Sequence, residues 1–530
     1  MKQTFTYYSQ LRSELSTWLD QSARIDGPGR NRGGEDEANY ALSWLPHYLI
    51  AREAATAERF RSLLSDLASW VTHDCVHGYE PEAEAHHGTE PFLLFLPRYA
   101  GLFPDDELPP KLLEDAAHHI GNWVDGIPDW YDYECDCFRS YRIGAELVDD
   151  DPHFAYELAE HLRFVHIALA AHRILGEDRY LEWALRYGRQ RAERILRSVT
   201  DSWPLLWDLE GNGLQWADLT TREQHSMSGN AHHLEGDPLS GLENLLASGA
   251  MQVFGDLYLL SGEQVFQDVA RRMAESLVAE LVDPFGDPAA AAVAHYRWTF
   301  ADTSLDDVIA AQLAEMPAES SAPWAMIFPQ QHRRREAGVG KRTDMIYWGE
   351  FAEDGSVAPL KEPSTAALTL AYQLTGKVAH ARRALRGAAT RLSMARRVLR
   401  GGREHADMGG AVCSVAAGHG RNWGTGAVTG CYGPLVLGTR EIRGQLSPLI
   451  EVRDGAGNDR VPEAVLSLVR PAVGGDGELL LYNGSEAEVG LSWRSATGKA
   501  TGLPAESARE EAAWTQVTLG AGEEKAQSIE

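Results

Sequence analysis

Over most of the chain, apolar positions recur with a period near 3.6, the spacing that turns one face of an α-helix towards a core. The helical stretches come in pairs. Tyr156–Leu175 is followed by Gly176 and Arg179–Leu196, Leu242–Leu260 by Gly262 and Gln264–Leu281, and Ser364–Leu374 by Gly376 and Ala379–Leu399. The connections LGEDRYLEWAL, SGEQVFQDVAR and TGKVAHARRAL each put a glycine where a helix must end in a left-handed residue. Two less regular pairs precede them, Glu37–Arg52 with Glu58–Val71 and Pro91–Leu102 with Pro110–Trp123. The Gly-rich but apolar stretch 407–440 supplies a sixth. These hairpins are spaced too irregularly for a short-period solenoid. They predict a mostly α protein, an (α/α)6 toroid over 1–440, with one helix of each pair lining the inside. An open helical array is the other arrangement they permit.

After Arg440 the period shortens. Ala464–Val469, Glu478–Tyr482, Glu486–Trp493 and Trp514–Leu519 are short, partly alternating and β-branched, with Gly474-Gly475 and Asn483-Gly484 as turn signals. They predict a small antiparallel β-sandwich-like domain over 441–530, with Gly520–Glu530 as a fraying tail.

The hairpin order, the G-x-x-x-[YFH] turns and the strand stretch LLLYNGSEAEVGLSW resemble the six-hairpin glycosidase superfamily. That superfamily includes unsaturated glucuronyl hydrolases and β-L-arabinofuranosidases and shares its architecture with several polysaccharide lyases. The resemblance covers about 400 residues and implies fold; chemistry has to come from the site. The zinc site of β-L-arabinofuranosidases has a Glu-x-Cys upstream and adjacent cysteines downstream. Here Gly430-Cys431-Tyr432-Gly433 has one cysteine and no Glu-x-Cys lies near Glu350, so the resemblance carries over no nucleophilic cysteine.

Composition narrows the classes. The 530 residues hold 49 Lys+Arg against 77 Asp+Glu, a formal charge of −28. Such a chain lacks the cations that displace counterions from nucleic-acid phosphates, and it is repelled by anionic membrane surfaces. Its start has no basic region followed by an apolar run, and no stretch approaches the roughly 18 apolar residues of a membrane span. Five cysteines, an odd number, make no disulfide framework, so reduced thiols and a cytoplasmic location are expected. Cys135 and Cys137 are one residue apart, closer than the usual zinc spacing, and Cys413 and Cys431 lie far along the chain. No metal or other cofactor is expected. Phosphate loops, dinucleotide fingerprints and nucleophile elbows do not occur.

The candidate chemistry sits between the helical pairs. Trp, Tyr, His and carboxylates cluster at His73–Glu90, Asp129–Arg142, His225–Glu235, Asp344–Glu350 and His419–Gly426, whereas ordinary loops favour Ser, Gly, Pro and Asp. Carboxylates act as acid, base or nucleophile on glycosidic bonds, and aromatic faces hold sugar rings. Asp132, Glu134 and Asp136 share one face if their segment is extended, and like charges there raise one another's pKa. Arg139 and Arg142 alternatively neutralise them. Glu350, beside Tyr347 and Trp348, is the expected partner acid. The leading expectation is a glycoside hydrolase acting on oligosaccharides, with Trp130, Trp348 and Trp423 as stacking walls. A polysaccharide lyase is the alternative, with Asn230 and Arg421 neutralising a uronate and His232 or Tyr347 taking its C5 proton; Arg139 and His233 join either substrate site. A non-enzymatic helical binding protein is the third reading.

Overall fold

Gly176, Gly262 and Gly376 adopt φ of 74°, 71° and 66° and cap the first helix of each regular pair. Their lack of a Cβ allows the left-handed turn that reverses the chain. The pairs they join are Leu162–Leu175 with Asp178–Ser198, Ala250–Ser261 with Gln264–Leu277, and Thr365–Thr375 with Val378–Arg396. The earlier pairs are Glu35–Ala51 with Ala54–Asp74 and Leu96–Leu102 with Leu108–His118. The computed structural model describes residues 1–24, 35–81, 83–84, 92, 95–227, 240–282, 287–327, 347–397, 412, 415–416, 425–496 and 512–529. The chain is mostly helical, with small antiparallel sheets. Among the described residues no helix is long and apolar enough to cross a membrane.

Several boundaries differ from the periodic reading. The stretch expected to open the helix at Tyr156 instead pairs Tyr156–Glu157 with Trp207–Asp208 and makes a 3-10 turn at Ala159–His161. The helix expected over Leu242–Leu260 is broken, Ser240–Ala247 being followed by Gly249 at φ 70°. Among the described residues, further helices include Lys2–Arg24, Thr221–Met227, Asp287–Thr299 and Asp306–Ala314. Lys2–Arg24 packs on both Val378–Arg396 and Glu35–Ala51, and Arg396 ion-pairs with Glu14. Asp287–Thr299 packs between Gln264–Leu277 and Thr365–Thr375. The short helix Tyr432–Val436 lies against Glu35–Ala51.

Ile450–Asp454, Val489–Ser495 and Thr515–Leu519 form one three-stranded sheet, and Val465–Arg470, Gly477–Asn483 and Glu524–Ile529 form another. The tail therefore does not fray up to Ile529: its alternating residues pair in register with Gly477–Tyr482. Ahead of these sheets, Arg440–Ile442 and Gln445–Ser447 form a hairpin that packs against the helices Leu96–Leu102 and Ala250–Ser261. Its turn, Arg443-Gly444, has both φ values positive, 46° and 70°, the geometry that matches strand twist.

Two packing features hold the site region together. Glu157 is fully buried and accepts from Arg191 (3.2 Å), Arg194 (2.9 Å) and the Phe138 amide (3.2 Å). It thus ties the hairpin Tyr131–Phe138 to the helix Asp178–Ser198. Gly241 meets the chain at 203–204 so closely that a Cβ would lie 2.0 Å from the Pro204 carbonyl oxygen. Backbone cannot yield as a side-chain tip does, so Gly241→Ala is expected to cost about 1–3 kcal/mol. Urea unfolding checks this; an unchanged midpoint contradicts the close approach.

Candidate functional site

A cavity of about 150 Å³ lies where the helices Glu35–Ala51, Leu96–Leu102, Ala250–Ser261, Asp287–Thr299 and Thr365–Thr375 meet the hairpin Arg440–Ser447. The hairpin contributes Arg440 and Glu441 to its wall. Glu441 ion-pairs with Arg98, and the Arg440 guanidinium lies 4.8 Å from the ring centre of Trp298. His295 and Gln252 also line it. The tip of the hairpin is fixed from two helices. The Arg443 amide donates to Asp256 Oδ2 (2.8 Å), and Arg173 donates to the Arg443 carbonyl and to Gln445 Oε1, both at 3.1 Å.

Polar side chains are costly to bury without partners, so their placement on an apolar helix is informative. Glu160, Arg163 and His166 recur at three-residue intervals, one face of a helical segment, and are 5%, 1% and 3% exposed. The turn holding Glu160 packs on the helix Ser240–Ala247, which carries the buried Glu243 and Asn244. His166 Nε2 donates to the Gly249 carbonyl (3.1 Å), three residues before cavity-lining Gln252. Burial lowers the His166 pKa to about 4, with Glu441 opposing and Arg98 assisting. Burial also lowers His295 to about 3, helped by repulsion from Arg440 and His166. Both imidazoles are neutral at pH 7. Asp256 moves the other way: burial pushes it up to about 7 against the Arg443 amide, and Glu441 adds to the rise.

These shifts set a pH dependence. His119, His161, His166 and His295 all have folded pKa values of about 3 or 4, with burial the largest cause. Below an ordinary histidine pKa of about 6.5 the unfolded chain takes up protons that the folded one refuses, so stability rises with pH through this window. Asp256 opposes this, because the folded state keeps its proton to about pH 7 and its contribution falls as pH rises. Four groups outweigh one. The urea midpoint is expected to rise between pH 4.5 and 6.5, more steeply in Asp256→Asn; a flat or falling midpoint contradicts the neutral burial of these histidines.

The residues expected from sequence to form the site are placed as follows. Asp132, Glu134 and Asp136 do not lie on one extended face, because residues 133–136 form a turn between the strands Tyr131–Asp132 and Cys137–Phe138. Asp132 accepts from the Glu134 amide (2.8 Å) and lies 3.8 Å from exposed Arg139; Glu134 is exposed. Asp136 accepts from Tyr131 (3.2 Å) and Arg186. Arg142 lies over Phe154 and 4.0 Å from Asp149. Trp130 is no open platform: it is 1% exposed among Tyr79, His119 and Phe164, and its Nε1 donates to Gly144.

Trp348 is also buried, 5.9 Å from Arg391, in the strand Tyr347–Phe351 that carries Tyr347. In the same strand Glu350 accepts from Ser320 Oγ (2.7 Å). Among the described residues no contact joins Glu350 to the carboxylates at 132–136. Asn230, His232, His233, Arg421 and Trp423 lie outside the described residues.

Cys135 and Cys137 are joined as a disulfide, in place of the reduced thiols expected. Asp136, at φ 52°, turns the chain so that the Cα atoms of its neighbours are 5.4 Å apart. Cys431 is buried, and Cys413 lies outside the described residues. Among the described residues no group of three or more His, Cys, Asp or Glu is placed to hold a metal ion.

Sequence reasoning passed over Glu160, Arg163, His166 and Glu243 because it looked between the helices. The available signal was the three-residue recurrence of charge within the otherwise apolar stretch LAEHLRFVHIALAA.

Fold and site together define a mostly helical protein with a cavity whose wall includes Arg98, His295, Trp298, Arg440 and Glu441. No family model matches the chain, and no curated protein matches it.

Proposed function

We propose that the protein is a glycoside hydrolase acting on oligosaccharides, built as a six-hairpin toroid with a β-sandwich-like domain after it. The succession of helix contacts supports the toroid. It runs from Glu35–Ala51 through the paired helices to Val378–Arg396, then by way of Lys2–Arg24 back to Glu35–Ala51. The observation that carries the chemistry is the pair of buried carboxyls, Glu160 and Glu243, on adjoining elements; His166, on the helix that follows Glu160, bonds the Gly249 carbonyl, and Gln252 just beyond it lines the cavity that also holds Trp298, Arg440 and the Arg98–Glu441 pair. Two carboxyls beside a sugar divide the work. One protonates the leaving oxygen, and the other, ionised, activates water or attacks the anomeric carbon.

This assignment replaces Asp132, Glu134, Asp136 and Glu350, which are exposed or engaged in local turns and sheet contacts. Trp298 takes the ring-stacking role given to Trp130 and Trp348. The test is release of reducing ends from a broad panel of neutral and acidic oligosaccharides. No release from any of them overturns the reading.

β-Elimination on a uronate is the second reading. Its support is the neutral imidazole of His295, which lines the cavity together with the guanidinium groups of Arg98 and Arg440. A neutral imidazole can take a C5 proton while a guanidinium offsets the carboxylate. An unsaturated, ultraviolet-absorbing product from uronate-containing chains would favour it over hydrolysis.

A further inference from the structure

The disulfide Cys135–Cys137 has no part in the proposed chemistry, and its span is wrong for a structural staple. A disulfide constrains the unfolded chain more, the longer the loop it closes. This one skips a single residue, Asp136, and so contributes little of that constraint. It is also within reach of another molecule. Cys135 is half-buried in a turn whose residues Tyr133 and Glu134 are exposed, whereas Cys137 is fully buried. Two guanidinium groups donate into the turn, Arg186 to the Tyr133 carbonyl (2.6 Å) and Arg194 to the Cys135 carbonyl (3.5 Å). Positive charge beside a cysteine favours its thiolate, the form that leaves and returns in thiol–disulfide exchange.

The residues just after Cys137 are clamped to the turn that carries Glu160. Phe138 stacks on His161, with 4.7 Å between ring centres and 16° between planes. His161 Nε2 donates to the Ser140 carbonyl (3.1 Å), and its Nδ1 accepts from the Leu158 amide (3.0 Å). His161 follows Glu160 directly in the 3-10 turn Ala159–His161. Glu157, just before that turn, accepts from the Phe138 amide (3.2 Å). The position of Glu160 is therefore set against residues 138–140.

From this we infer that Cys135–Cys137 is a redox-exchange site that controls the Glu160–Glu243 pair, and that its partner is a dithiol. The inference rests on the hydrolase reading. One thiolate of the dithiol attacks Cys135 Sγ. A mixed disulfide forms as the Cys135–Cys137 bond breaks, and the electron pair of that bond leaves on Cys137. The second thiolate of the dithiol then displaces Cys135. Two electrons and two protons have passed to the protein, which holds two thiols, and the dithiol has become a disulfide. The cross-link then no longer holds Asp136, at φ 52°, in a left-handed conformation that residues other than glycine disfavour. The turn relaxes, Phe138 loses its fixed place on His161, and Glu160 is displaced with them.

Dithiothreitol, applied to the full chain under native conditions, tests this, with alkylation and mass spectrometry to locate the thiols. Cys135 and Cys137 are expected to become alkylated while the protein stays folded, and amide exchange is expected to quicken over residues 156–162. Cleavage of whichever oligosaccharide the protein accepts should fall at least about fivefold. Oxidised dithiothreitol should restore the parent rate. The double variant Cys135→Ala/Cys137→Ala should show the reduced rate in both buffers. Cys75→Ser, at a half-buried cysteine outside the disulfide, should keep the full response.

A disulfide that resists dithiothreitol until the protein unfolds overturns the inference. So does a reduced, folded protein that cleaves at the parent rate, and in both cases the hydrolase reading stands. No cleavage in either redox state overturns that reading and the control with it.

Discussion

Glu243→Gln is expected to lower kcat for oligosaccharide cleavage by about 10²–10⁴-fold while leaving the unfolding midpoint nearly unchanged. The amide keeps the shape and polarity of the buried side chain, but it neither gives up a proton nor carries the charge that meets a developing oxocarbenium ion. Glu160→Gln should act in the same way. The two losses should not add in the double variant, because two carboxyls that act as a unit fail together. Small-molecule rescue separates the roles. In whichever variant has lost the base or nucleophile, azide or formate should restore part of the rate; the acid variant should respond instead to substrates with good leaving groups. Both variants retaining full rate would remove these carboxyls from the chemistry and favour the neutral histidines.

Glu157→Ala is expected to have the largest effect on stability. Its carboxylate is fully buried and satisfies Arg191 and Arg194 as well as the Phe138 amide. Removing it leaves two guanidinium groups facing each other in a low-dielectric interior, with Arg191 held 4.5 Å from the centre of the Trp207 ring. Breaking a buried pair from one side costs about 3–5 kcal/mol. That is a large part of the roughly 5–15 kcal/mol that separates folded from unfolded protein. The variant should unfold at much lower urea concentration, and the hairpin carrying Asp132 and Asp136 should become more open to proteolysis. Glu157→Gln, which keeps one acceptor, should lose less. A midpoint within experimental error of the parent would show that the network relaxes without cost.

The helical pairs were legible because their signals are local. A 3.6-residue period and a terminal glycine act within one helix, and Gly176, Gly262 and Gly376 are in the expected left-handed conformation. The strands Val465–Arg470 and Gly477–Asn483 were legible for the same reason, through β-branched alternation and nearby turn residues. The final strand was not. Glu524–Ile529 is mostly polar and gains its structure from pairing with Gly477–Tyr482, a contact some fifty residues back in the chain.

The helix Asp287–Thr299 escaped for a related reason. Its alanine run has no strong apolar stripe, since it is packed by neighbouring helices on more than one side.

The site was less legible than the fold. Aromatic and acidic residues between helices looked functional, yet Trp130 and Trp348 are core residues, and Asp132 and Asp136 are fastened within a turn. Composition records which side chains are available and is silent on which of them face one another. By itself the chain determined a mostly helical architecture of paired elements, a strand-rich end and an excess of 28 negative charges, all properties summed over short windows or over composition. Tertiary structure alone decided that a hairpin beginning at Arg440 would form one wall of a cavity and bring Arg440 and Glu441 to Trp298 and Arg98. Those contacts join residues more than a hundred positions apart. Burial at that junction, and no local pattern, sets which imidazoles stay neutral and which carboxyl keeps its proton.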